Sequence, residues 1–252
     1  MEIPKANTVE AFRENLAAVR AKIERAAERA GRDASEVRLL PVSKTVPEER
    51  IRLAIVAGAH QLGENKVQEA KRKHANLIDE DVKWSIIGHL QTNKAKDVAA
   101  FASEFHALDS LRVAEALDRR LEMEGRSLDV YVQVNTSGEE SKYGLEPDAV
   151  PGMLEALRGF ETVNVKGLMT LAIFSDDKEA VRTCFQLLRR LRDEARDRDP
   201  ALIGPGELSM GMSGDYEIAI EEGANVVRVG QAIFGARPTT DAYYWPSATA
   251  KQ

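Results

Sequence analysis

The chain has 252 residues, 43% of them hydrophobic and 30% charged, a balance that permits a sizeable core and excludes a disordered chain. Its 35 Lys and Arg stand against 41 Asp and Glu, a net charge of −6, and its basic runs are short, as in Lys71-Arg72-Lys73 and Arg189-Arg190, so nucleic acid is not an expected partner. No apolar run reaches the ~18 residues of a membrane span, Met1 to Thr8 has no signal-peptide core, and one cysteine, Cys184, allows no internal disulfide; a cytoplasmic protein with no membrane contact is expected.

Asn7 precedes Glu10 by three, and Val9, Phe12, Leu16, Val19 and Ile23 recur at helical spacing as far as Gly31, which predicts a capped amphipathic helix over 7–31. Eight short apolar runs follow as candidate strands: 37–43, 59–62, 82–87, 104–108, 128–134, 163–170, 207–210 and 225–229. Helical patterns lie between them at 48–57, 65–77, 93–101, 111–124, 149–157, 176–196 and 215–222. Parallel strands need crossovers, and eight such units without a long Pro/Gly linker predict one α/β domain over 1–252. Its parts would be a single (β/α)8 TIM barrel over 37–235, the extra N-terminal helix and a tail over 236–252. An open doubly wound sheet is the alternative. Pro41 cannot donate to a ladder, so a bulge is expected in the first strand.

Period-two alternation puts Leu40, Val42 and Lys44 on one side of that strand, so Lys44 ends it facing inward. A desolvated lysine has a lowered pKa and can form a Schiff base, while a lysine at a strand end can equally snorkel to water. In the last strand Val226, Arg228 and Gly230 share a face, and Gly211, Ser213 and Gly214 precede a predicted helix. Barrels bind phosphate between the loops after strands seven and eight, where helix N–H groups favour an anion, although such glycines also simply make turns. Asn65 can bond a ring substituent or cap the next helix. His60, His74, His89 and His106 have no metal-ligand spacing and read as surface or packing residues, so no metal is expected. Cys184 lies in an amphipathic stretch and reads as a packed thiol. No serine sits in a nucleophile elbow.

Pro41-Val42-Ser43-Lys44-Thr45, Gly63-Glu64-Asn65, Ile87 to Lys94, Gly167-Leu168-Met169 and Leu208-Ser209-Met210-Gly211-Met212-Ser213 resemble the pyridoxal phosphate homeostasis protein family over nearly the whole chain. That family is similar to the barrel domain of alanine racemase, the third fold type of pyridoxal phosphate proteins. The resemblance implies that Lys44 is the Schiff-base lysine and that Ser213, Gly214, Gly230 and Gln231 cradle the phosphate. It also implies that Arg228 meets the pyridine nitrogen while Asn65 and Met169 line the ring. Three positions depart from the common pattern: Gln231 where threonine is frequent, Tyr143 after Lys142 where a smaller residue is usual, and His89 where proline is frequent.

The implied function is to hold pyridoxal 5′-phosphate and buffer or deliver it to apo-enzymes, as a monomer or weak dimer without established catalysis. A racemase or lyase using the same cofactor would need a second acid/base group, which alanine racemases supply as a tyrosine from another domain. The chain ends at Gln252, too soon for that domain, though Tyr243, Tyr244 and Trp245 stand in the tail. A third reading, a barrel binding another phosphorylated metabolite, would make Lys44 a counter-charge.

Overall fold

The computed structural model describes residues 6–139 and 143–235; the expected tail with Tyr243, Tyr244 and Trp245 lies outside the described residues, as does Lys142. Its inner layer has eight strands: β1 (Arg38–Pro41), β2 (Gln61–Glu64), β3 (Lys83–Ile86), β4 (Glu104–Leu108), β5 (Leu128–Gln133), β6 (Val163–Met169), β7 (Glu207–Ser209) and β8 (Val226–Val229). All pair in parallel, in the order β1-β8-β7-β6-β5-β4-β3-β2, and a parallel bridge between Val42 and Gly63 joins the two ends of that order. This is a barrel rather than a doubly wound sheet, in which the first strand would lie inside the order.

Pro41 is accommodated without the expected bulge, in register with Val229. The Arg38 N–H donates to Asn225, just before β8, and that of Val42 to Val229 of β8, while that of Ser43 donates to Gly63 at 3.0 Å. By the same alternation the nitrogen of Pro41 faces β2, where the strands share only the one bridge. The proline therefore sits on a seam, the nearest thing to an edge that a barrel offers.

Around the strands lie α1 (Val9–Arg29), α2 (Glu48–Val56), α3 (Val67–Asn76), α4 (Ala95–Phe101), α5 (Leu111–Glu124), α6 (Val150–Leu157), α7 (Lys178–Arg198), α8 (Tyr216–Glu221) and α9 (Gln231–Phe234). The cap of α1 is Thr8 rather than Asn7: its backbone is extended directly before the first helical residue, and its hydroxyl accepts from the Ala11 N–H at 3.2 Å. Phe12, Leu16, Val19 and Ile23 form the buried stripe. Among the described residues four helical ones follow β8, and α1 packs against this short α9 as well as α8 and α2. The Phe12 ring meets Phe234 edge-on with centroids 5.6 Å apart, and Asn15 donates to the Ile233 carbonyl at 2.9 Å.

The strand N-termini close their end of the barrel with a polar layer. Arg38 donates to Glu104 at 2.9 Å and to the Tyr131 hydroxyl at 3.3 Å. Ser85 donates to Glu104, Gln61 to Ser85, and the Tyr131 hydroxyl to Glu207. No described helix is long and apolar enough to cross a membrane.

Candidate cofactor site

Parallel strands bring all their C-terminal ends to one mouth, and every predicted site residue lies there. Lys44 does not end β1 but sits in the turn beyond it, where the Val46 N–H donates to the Ser43 carbonyl at 2.9 Å. Thr45 has φ +66°, the one non-glycine residue with positive φ among those described. Positive φ at the third turn position alone is the pattern of a type II turn, which favours glycine there. A β-branched residue held in that conformation costs about 1–3 kcal/mol, and such strain tends to mark functional sites. Ser43 lies against the helix layer, its hydroxyl donating to Glu64 and its carbonyl accepting from Lys73, and Lys44 follows it half-buried in the turn.

Asn65 follows β2 and does not cap α3, whose N-cap is Lys66 with no side-chain cap bond. It is seated by Gly88 after β3, where a Cβ would lie 2.2 Å from the Asn65 carbonyl oxygen. Met169 ends β6 fully buried, in register with Ser209 and Gln133.

Across the barrel, Arg228 lies on the inner face of β8, paired in register with Leu40, and is 3% exposed. Nη1 donates to Ser209 Oγ and Nη2 to the Thr170 carbonyl, both at 2.8 Å. Ser209 Oγ lies 2.9 Å from His106 Nδ1, and His106 Nε2 lies 2.9 Å from Glu104. No carboxylate among the described residues is within ion-pair reach of Arg228, although Asp215 acts on it from farther off; burial pushes the guanidinium down to about 10, so it stays charged at neutral pH. Burial likewise pushes His106 down, toward its neutral form. Burial would raise Glu104, but hydrogen bonds from His106 and Ser85 and the Arg38 charge outweigh it and hold that carboxyl at about 2.

Ser213 and Gly214 lie in the turn before α8, and the Gly230 N–H reaches Ser213 Oγ at 3.4 Å. Gly230 caps α9 with φ −110°, a conformation open to any residue, and the N–H groups of Gln231 and Ala232 in its first turn have no backbone acceptor among the described residues. Gly214 has open space where a Cβ would stand. Gly211 is there for packing: its φ is +93° and a Cβ would meet that of Ala219 at 2.7 Å.

Two departures from the common pattern form one contact: His89 stacks on Tyr143 with centroids 4.1 Å apart, and its Nδ1 lies 3.2 Å from Asp109. Sequence reasoning missed Ser209, Thr170 and His106, which was read as surface or packing. Ser209 stood in the sequence only as part of the Leu208 to Ser213 motif, and His106 is 103 residues from its hydroxyl partner.

The donor set fits pyridoxal phosphate: a lysine amine, a buried cation with N–H groups to spare, and unpartnered N–H groups suited to a phosphate. The family model of the alanine racemase N-terminal domain matches residues 15–238. The pyridoxal phosphate homeostasis protein of Aquifex aeolicus (strain VF5) is 43% identical over 225 residues, 89% of this chain and 97% of that protein. This chain belongs to the pyridoxal phosphate homeostasis protein family. PipY of Synechococcus elongatus PCC7942, solved with PLP bound, is similar at 34% identity and a TM-score of 0.79, covering 89% of this chain and 100% of that one. An alanine racemase of Clostridium difficile 630 shares the fold at 18% identity and a TM-score of 0.69, covering 93% of this chain and 59% of the racemase.

Proposed function

We propose that this chain binds pyridoxal 5′-phosphate on Lys44 and acts as a cytoplasmic carrier and buffer that gives it up to apo-enzymes, working as a monomer or weak dimer. The observation that carries the reading is Arg228, a buried guanidinium with donors to spare beside the mouth that holds Lys44. The PLP-bound relative supports it. Lys44 would hold the cofactor through its amine, the group able to link to an aldehyde. Ser213 gives the phosphate a hydroxyl, and Gly214, Gly230 and Gln231 give it backbone N–H groups; Asn65 and Met169 line the ring. Arg228 would supply the donor for the ring nitrogen and, as a fixed cation, would disfavour a second positive charge there. The bound cofactor supplies a reversible covalent link and a ring able to accept electrons, weakly so while its nitrogen stays unprotonated. The racemase or lyase alternative draws only on likeness of fold.

Borohydride reduction followed by peptide mapping should find the label on Lys44, and Lys44→Ala should abolish the visible absorption of the linked cofactor without unfolding the chain. A label on Lys94 or Lys142 instead would overturn the assignment.

A further inference from the structure

On the outer side of β2, behind the turn that carries Lys44, lies an ionic cluster that the cofactor site does not touch. Lys73 of α3 is fully buried. Its ammonium has three protons, and three oxygens receive them: the Ser43 carbonyl at 2.8 Å, Glu64 Oε1 at 2.7 Å and Glu69 Oε1 at 2.8 Å. Each carboxylate in turn holds a neighbour of Lys44. Ser43 Oγ donates to Glu64 at 2.6 Å, and the Thr45 N–H donates to Glu69 at 2.8 Å.

A buried ion pair contributes little net stability, because desolvation offsets the attraction. This cluster is costlier than most: Glu64 Oε2 is buried with no hydrogen-bond partner, and burial pushes that carboxyl upward despite Lys73. What the cluster supplies is geometry. β1 meets β2 at one bridge, and Pro41 has no N–H to add a second contact, so the sheet gives the 43–46 turn little support on that side. The left-handed Thr45 would relax if left to itself. We propose that Lys73, acting through Glu64 and Glu69, is a positioning residue that holds the strained 43–46 turn and so aims Lys44 into the barrel mouth. The proposal rests on Lys44 being the cofactor-linked lysine.

Lys73→Met strands the buried Glu64 and the half-buried Glu69 and can fail to fold, so Glu69, partly exposed at its side chain, carries the test. Glu69→Ala removes the acceptor of the Thr45 N–H and should weaken pyridoxal phosphate binding about tenfold, the scale of one released backbone strain. Glu69→Gln keeps an oxygen in place and should stay within about twofold of the parent, since a neutral acceptor still serves that N–H. Pyridoxamine 5′-phosphate has no aldehyde for Lys44; its affinity should change by less than about threefold in Glu69→Ala, because the phosphate and ring contacts lie elsewhere. A loss shared equally by the two ligands would mean general loosening and overturn the proposal, as would an unchanged affinity for pyridoxal phosphate. Lys44→Ala run in parallel separates the two ideas. If it abolishes the covalent link while Glu69→Ala has no effect, the cofactor reading stands and the role of Lys73 falls.

Discussion

Arg228 can donate hydrogen bonds but never accept them, and this one-sidedness orders the groups behind it. Its Nη1 takes a lone pair of Ser209, and with His106 pushed toward neutrality the serine proton goes to His106 Nδ1. His106 then carries its own proton on Nε2, directed at Glu104. Ser209→Ala should leave both Arg228 and His106 short of a buried partner and cost about 1–3 kcal/mol. A denaturant titration measures that loss, and a weaker pyridoxal phosphate affinity in the folded variant would show that Ser209 orients Arg228. Period-two alternation was enough to place Arg228 inside. It could not reveal Ser209 and His106 as links, because a hydrogen bond across the barrel leaves no local pattern in the chain.

At the scale of elements, α1 is the extra helix before the barrel, and its fit controls α9. Phe12 is fully buried against Phe234, three residues beyond Gln231. Phe12→Ala should cost about 3–5 kcal/mol of stability. It should also narrow the preference for pyridoxal phosphate over pyridoxal, measured by parallel titrations, if α9 carries the N–H groups of the proposed phosphate cradle. The eight strands were legible from short apolar runs, but β2 begins and ends two residues later than expected. Gly63 and Glu64 look like loop residues, and Glu64 can lie buried in a strand only because Lys73, on the next helix, meets it. The Pro41 bulge failed for a related reason: a closed ring of strands can still have one loosely joined seam, which the strand's own residues do not disclose.

For the whole molecule, the polar core makes acid the expected enemy. The Glu104 carboxyl sits at about 2 in the fold against its ordinary 4.5, so its contribution is present above about 4.5 and is lost as pH falls toward 2. His106 is buried with its pKa depressed below 6.5, so the unfolded chain takes up its proton first and stability begins to fall below that value. Both effects run the same way. The melting temperature should decline from about pH 6.5 downward, and Glu104→Gln should flatten the lower part of that curve; a profile unchanged between pH 7 and 4 would contradict the neutral His106.

The layer of Arg38, Glu104, Tyr131 and Glu207 also decides how cargo travels. It closes the far end of the barrel, so under the proposed carrier role loading and unloading would share the single doorway at the other end. Under the proposed carrier role, handover by way of free cofactor would have a speed limit set by the donor alone. When holo-protein is mixed with increasing apo-enzyme, the transfer rate should level off at the spontaneous release rate, and added free pyridoxal phosphate should refill the donor without hastening its emptying. A transfer rate that kept climbing with acceptor concentration would mean that the recipient itself opens the doorway.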